Sequence, residues 1–293
     1  MEISQLYNFL ALFFNNFFFS YYASSEFIGV YRIAACSILL TYFTVIFKDI
    51  MIFSRVDGIY SYEVFKNEME RQENTLNLFL YLKFKYSNYL IIGAFYLFGI
   101  LSLIGLYTNI SLILFFILFL SLQTRVTPIN TSGGDIIANF ILFLLCFMDS
   151  GANFSLDSFL SNHSPPDEIA AWPLRLIQIS ISFGYLWSGL IKINSQDWFL
   201  GHAVSNAVLF SPWGKRNFKR LFTNPYVGRL LCISIIFYQF FAPILFWIQE
   251  FRPFAIVFGI IIHLGMSLTL RIGYFGPIMI LGILSFAANY FLK

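Results

Sequence analysis

The sequence predicts an all-α polytopic membrane bundle: about eight apolar helices, preceded by an N-terminal segment that either spans or lies in the interface. Composition is the first reason. Of 293 residues, 58% are hydrophobic and 20% aromatic, while only 11% are charged. Soluble domains carry about a quarter charged residues, so this chain could not cover a water-facing surface of its own size and needs lipid as solvent. Spacing is the second reason, because apolar runs near the twenty residues that cross a bilayer recur along the chain. The third is the placement of positive charge, which gathers in alternate connections. A mean hydropathy of +0.74 agrees. Disorder, a nucleic-acid module and a disulfide-stapled secreted domain are excluded, and a net charge of +3 is too small for bulk attraction of acidic partners.

In chain order, Leu6 to Ala23 is rich in Phe but interrupted by Asn15 and Asn16, which leaves both a span and an interfacial helix open. It lacks the basic leader and small-residue cleavage site of a signal peptide, so it is expected to stay in the mature chain. The core helices are expected at 27–47, 88–107, 109–124, 135–149, 172–193, 227–248, 253–270 and 274–291, with the third and fourth short. Residues 1–25 and the 27–291 core are read as one integral-membrane domain with no soluble substrate domain after it. No internal repeat supports an inverted-repeat transporter.

The 48–87 connection holds Lys48, Arg55, Lys66, Arg71, Lys83 and Lys85, and the 194–229 connection holds Lys215, Arg216, Lys219, Arg220 and Arg229. Arg125 and Arg271 follow the third and seventh helices. The 150–171 connection has no basic residue, only Asp157, Asp167 and Glu168 around a Pro165–Pro166 turn. The positive-inside rule therefore places 48–87 and 194–229 in the cytoplasm and 150–171 outside. Abundant Phe, Ile, Tyr and Asn suggest an AT-rich bacterial source, hence a plasma (inner) membrane.

Cys36, Cys146 and Cys232 all fall inside apolar helices, and no C-x-x-C occurs, so they read as small apolar fillers rather than a redox pair. No metal-ligand spacing or phosphate loop is present, and no metal is expected. The informative residues are ionisable groups inside helices: Arg32 in GVYRIAAC, Asp135 in TSGGDIIANF, Lys192 in YLWSGLIKINSQDW and His263 in GIIIHLGMSLTLRIG. Tyr185, Gly189 and Lys192 share one helical face, with Ser188 four residues before the lysine. Gly259, His263, Ser267 and Arg271 recur every fourth residue on another. Small residues allow close approach of a helix or a flat ligand, so the two faces suggest a polar pocket. Plainer readings stand beside this one. Lys192 can snorkel to the headgroups, Arg32 can anchor helices, Asp135 can cap one, and His263 can be a hydrogen-bonded structural residue. The basic stretch WGKRNFKR at 213–220 reads most simply as headgroup-binding.

Taken together and in order, these stretches resemble the horizontally transferred transmembrane (HTTM) family, the membrane core shared with vitamin K-dependent γ-glutamyl carboxylase. The matching segments are Arg32, GLYTNISLILFF at 105–116, SGGDIIANFILFLLCFMDSGANFSLD at 132–157, FGYLWSGLIKINSQDWFLG at 183–201, and His263 with Ile272–Gly273. In the carboxylase a lysine of the G-x-x-K motif deprotonates vitamin K hydroquinone, oxygen attacks, and the strong base formed removes a glutamate γ-proton. By motif that lysine is Lys192, and the late histidine is His263. The resemblance thus implies reduced vitamin K or another quinol as cofactor. Lys192 and His263 would be catalytic, and Tyr185, Ser188, Gly189, Arg32 and Asp135 would form or support the binding site. Arg32 and Asp135 are expected chiefly to hold helices and the glycine turn. Two departures matter: Gly134, followed by Asp135, stands where the carboxylase has a histidine, and the extramembrane substrate region has no counterpart, so a partner chain would have to supply it if the substrate is a peptide. Small bacterial members resemble the membrane protein that assists maturation of the sporulation-delaying toxin, which implies a non-catalytic role in maturation, export or immunity of a secreted peptide. A small-molecule transporter is the third reading, carried only by buried polar residues in a helical bundle.

Overall fold

The computed structural model describes residues 3–56, 60–71, 77–82, 84, 86–126, 132–161 and 163–291. Lys83 and Lys85, two of the expected cytoplasmic charges, lie outside the described residues. Among the described residues the architecture is all-α apart from one two-stranded sheet, and six helices are long and apolar enough to cross a membrane. Two compact units divide the chain, Met1–Pro173 with Phe291–Lys293, and Leu174–Tyr290.

The first unit opens with α1 (Ile3–Phe14), continued by a π turn at Asn15–Phe19. At 3–19 this segment is shorter than any of the six long helices, and Asn15 and Asn16 sit where the α-helix gives way to the π turn. Strand β1 (Tyr22–Ser24) pairs antiparallel with β2 (Glu168–Ala170), Ala23 opposite Ile169. The long helix α2 (Ser25–Val45) follows, then α3 (Phe47–Ser54), the charged α4 (Tyr62–Arg71) and the one-turn α5 (Leu78–Tyr81). Helices α6 (Ser87–Ile104) and α7 (Thr108–Val126) form a tight antiparallel hairpin. Its turn depends on Gly105, which adopts φ +68° so that the Leu106 amide can reach back to the Leu101 carbonyl at 3.0 Å. This is the left-handed helix stop that favours glycine. Helix α8 (Gly133–Leu145) and the short α9 (Leu156–Leu160) complete the unit.

Its core is aromatic. Phe43, Phe95, Phe115 and Phe119 are buried, with ring centroids 4.8 Å apart for Phe43–Phe95 and 5.1 Å for Phe95–Phe115. Gly99 admits them: an added Cβ would lie 2.6 Å from Leu40 Cδ2 and 2.8 Å from the Phe115 ring. The opposite face of α6 exposes Leu90, Leu97 and Ile100. A helix with buried aromatics on one side and exposed aliphatics on the other is solvated by lipid, where packing rather than water expulsion holds helices together.

The second unit contains α10 (Trp172–Ile193) from Leu174 onward, α11 (Gln196–Phe199) and α12 (Ala203–Leu209). After a 3-10 turn at Arg216–Phe218 come α13 (Lys219–Phe222), α14 (Pro225–Leu245), α15 (Arg252–Thr269) and α16 (Phe275–Leu284). Asn224 caps α14, its side chain accepting from the Tyr226 amide at 3.0 Å, and Pro225 begins it where a missing N–H costs nothing. Pro243 lies inside the last turn, two residues before the α-helix stops at Leu245.

Eight apolar helices are therefore present among the described residues, but their lengths differ from expectation. The third runs the full Thr108–Val126, because its polar tail is satisfied internally: Ser121 bonds the Ile117 carbonyl, Thr124 the Leu120 carbonyl, and Gln123 accepts from Asn139 at 2.6 Å. The fourth and eighth are the short ones, at Gly133–Leu145 and Phe275–Ala288. The eighth tightens into a 3-10 turn from Ser285, whose hydroxyl bonds the Gly282 carbonyl at 2.6 Å.

Candidate functional site

The expected site residues separate into three settings. In the first unit, Arg32 is fully buried on α2 and acts as a clamp. Its Nη1 donates to the Ser150 carbonyl, and its Nη2 to the Phe154 carbonyl at 2.5 Å. Those carbonyls belong to the connection leaving α8, which is drawn against α2 so closely that a Cβ on Gly29 would lie 2.6 Å from the Asn153 oxygen. The same connection caps α7. The Asp157 carboxylate accepts from the Tyr107 amide at 2.8 Å, the Thr108 amide at 2.8 Å and the Thr108 hydroxyl at 2.7 Å. Burial pushes the Asp157 carboxyl up, but the Thr108 and Tyr107 hydrogen bonds and the Arg32 charge outweigh it and hold it below the usual carboxylate range. The GLYT turn and the SLD exit, far apart in sequence, are thus one structure with Arg32 behind it.

Asp135 occupies the other end of α8. It closes a capping box with Ser132: the Ser132 amide donates to its carboxylate at 2.7 Å, and its own amide donates to the Ser132 hydroxyl at 3.2 Å. Ten helical residues, 136–145, roughly 15 Å at the standard rise, separate it from the connection that Arg32 holds. Both residues are placed as structural supports.

In the second unit, α10 and α15 bring Tyr185 and His263 together in the core. The Tyr185 hydroxyl lies 2.6 Å from His263 Nε2, and both side chains are buried. Tyr238 of α14 packs its ring edge-on to Tyr185 at 5.3 Å and donates its hydroxyl to the Ala255 carbonyl at 3.0 Å. Phe246 and Phe275 close the remaining sides, 6.1 Å from Tyr185 and 5.7 Å from His263. The glycines make this possible, since a Cβ on Gly259 would run into the Tyr238 hydroxyl and one on Gly276 into Ser267. Two buried polar atoms beside the pair, His263 Nδ1 and the Ser267 hydroxyl, have no hydrogen-bond partner among the described residues. Buried polar groups normally find partners, in the protein or in ordered water. Beyond Tyr238 an apolar groove of about 600 Å³ opens between α14 and α15, with Phe237, Phe241, Phe254 and Phe258 in its walls.

Lys192 lies two turns along α10 from Tyr185, half-buried. Its amine leans back to the Ser188 carbonyl at 3.4 Å and sits 5.0 Å over the Trp198 ring. Gly189 faces α14, where a Cβ would stand 3.1 Å from the Phe240 ring, and Ser188 contributes its carbonyl rather than its hydroxyl. The predicted face is thus part helix seam and part polar site.

Three participants escaped the sequence reading. Tyr238 carries its polar contact inside an apolar run, where the tyrosine within IIFYQFF was the signal, and Trp198 lies in the polar stretch NSQDW after α10. Arg125, read only as a topology charge, is 1% exposed at the end of α7. It donates to the Arg55 and Tyr60 carbonyls at 2.8 and 2.7 Å and lies over the rings of Phe65 and Tyr60 at 4.8 and 5.1 Å.

Eight apolar helices with lipid-facing aliphatic surfaces and a few buried polar groups define an integral membrane protein. The family model of the HTTM domain matches residues 27–290, nearly the entire chain, and the chain belongs to that family. Searches of curated proteins and of solved structures found no match.

Proposed function

We propose that the chain is a quinol-handling, carboxylase-like enzyme of a bacterial plasma membrane, with its site in the second unit at Tyr185, Lys192 and His263. The observation that carries this reading is the buried Tyr185–His263 pair, in which His263 Nδ1 has no hydrogen-bond partner among the described residues. A quinol is flat, apolar and membrane-soluble, with hydroxyls at opposite ends, and suits residues of this kind. The quinol would enter by the apolar groove, which Tyr238 lines while packing against Tyr185, and the Tyr185–His263 pair would offer a hydrogen bond to one ring oxygen. When bound, the quinol would supply reducing equivalents for oxygen chemistry. The chain's own part is proton handling. Lys192, as the neutral amine, would accept a hydroxyl proton at Nζ. The resulting ammonium has the Trp198 face and the Ser188 carbonyl as ready contacts. Tyr185 fixes the imidazole so that Nδ1 keeps its aim. Arg32 and Asp135 act only by holding the first unit's helices.

Purified protein in nanodiscs should oxidise a reduced naphthoquinone, and Lys192→Ala should lower turnover by roughly 10²–10⁴-fold, the range for a lost general base. Unchanged turnover in that variant would remove Lys192 from the role.

A second reading, a non-catalytic membrane partner for a secreted peptide, is favoured by the face that the positive-inside rule puts outside. Tyr107, Phe154, Phe159 and Leu160 are exposed there, near Asp167 and Glu168, and no basic residue occurs in 150–171. A peptide or soluble chain that co-purifies with the protein while no quinone does would favour it.

A further inference from the structure

The basic segment 213–220 plays no part in the proposed site, yet its four cations are not equivalent. Lys215 donates from Nζ to the Ser267 carbonyl at 2.7 Å, and Lys219 to the Leu209 carbonyl at 2.6 Å. Ser267 lies in the last turn of α15 and Leu209 ends α12, so both lysines satisfy helix C-terminal carbonyls, where a cation also meets the negative end of the helix dipole. These two charges are already engaged. Arg216 and Arg220 are exposed and have no partner among the described residues.

The backbone that carries them is pinned. Gly214 bridges to Leu270, the Lys215 amide donates to the Thr269 carbonyl at 2.9 Å, and the Arg271 amide donates to the Trp213 carbonyl at 2.7 Å. Phe210, Trp213 and Leu221 are exposed around them, at 79%, 55% and 55%. From Trp198 through Gln249 the chain contains no Asp or Glu, so no acid close in sequence competes for the arginines. Free guanidiniums, exposed aromatic and aliphatic side chains and a fixed backbone together match an anionic lipid surface. The apolar groups enter the interface, where Trp is favoured, and the arginines meet phosphate.

We propose that Arg216 and Arg220, flanked by Phe210, Trp213 and Leu221, form a docking surface for anionic phospholipid headgroups of the adjoining leaflet. Each arginine at such a surface strengthens binding by about fivefold, so the pair gives roughly 30-fold. Native mass spectrometry of the full chain, with equal phosphatidylglycerol and phosphatidylcholine added, reads this directly. Wild type should retain phosphatidylglycerol preferentially, and Arg216→Gln/Arg220→Gln should lose that preference by roughly 30-fold while melting as wild type does in phosphatidylcholine. Lys48→Gln/Lys66→Gln removes the same charge elsewhere and should leave the preference intact. Equal retention of the two lipids by wild type would overturn the proposal. So would a preference that survives in the arginine variant, or an equal loss in the lysine control.

Discussion

Replacing Tyr185 by Phe removes one oxygen from the core of the second unit and strands His263 Nε2, which lies 2.6 Å from it. The ring then has both nitrogens unpaired, because Nδ1 has no partner among the described residues to begin with. Leaving a buried polar group unsatisfied costs about 1–3 kcal/mol. Within a membrane the coupling of two hydrogen-bonding side chains is smaller, averaging about 0.6 and reaching about 1.7 kcal/mol. The single variant should therefore lose about 0.6–1.7 kcal/mol, the range for hydrogen-bonded side chains within a membrane. His263→Leu in the same background should restore part of that loss, since an apolar side chain strands nothing. The assay is a double-mutant cycle on unfolding in mixed micelles, with Tyr185→Phe, His263→Leu and the double variant compared. Additive losses, with a coupling near zero, would refute the claim that the pair is a buried, mutually dependent unit.

Gly105→Ala should destabilise the first unit by about 1–2 kcal/mol from its left-handed φ alone, and more because the new Cβ meets Ser155; a thermal melt of the variant checks this. Arg32→Ala strands the Ser150 and Phe154 carbonyls at about 1–3 kcal/mol each, and should expose the 150–157 connection to limited proteolysis. Because the Asp157 carboxyl is held below its usual range, its stabilisation is present above the ordinary carboxylate pKa and is lost as pH falls through the lower folded value. Melting of wild type should thus decline below about pH 4, and Asp157→Asn should start lower and decline less over that window. Arg125→Leu should free the Arg55 and Tyr60 carbonyls and raise hydrogen exchange through 55–65, with little change in the second unit.

Composition and hydropathy carried the membrane class, and helix ends such as Trp172–Ile193 were legible because the apolar runs end at polar or turn residues. The third and eighth helices were misjudged for a physical reason. The third was expected to stop at Thr124 with Arg125 beyond it, but Arg125 and the preceding Ser121, Gln123 and Thr124 find hydrogen bonds inside the protein, so the helix continues to Val126. Apolarity at the chain's end, conversely, does not reveal the tightening at Ser285. Arg32, Asp135, Tyr185, Lys192 and His263 stood out because burial of polar groups in lipid is costly. Their partners did not. The carbonyls that Arg32 binds lie more than a hundred residues away, and Tyr185 meets His263 only once α10 and α15 pack. Sequence spacing gives a helix face; which neighbour that face meets is a tertiary fact.

The central claim is a quinol site in the second unit, tested most directly by a density map of the protein reconstituted with a saturating reduced naphthoquinone. The account predicts flat density within hydrogen-bonding distance of His263 Nδ1, with the Lys192 amine drawn off the Trp198 ring toward it. An unfilled core at saturation, with Lys192 still over Trp198, would contradict it.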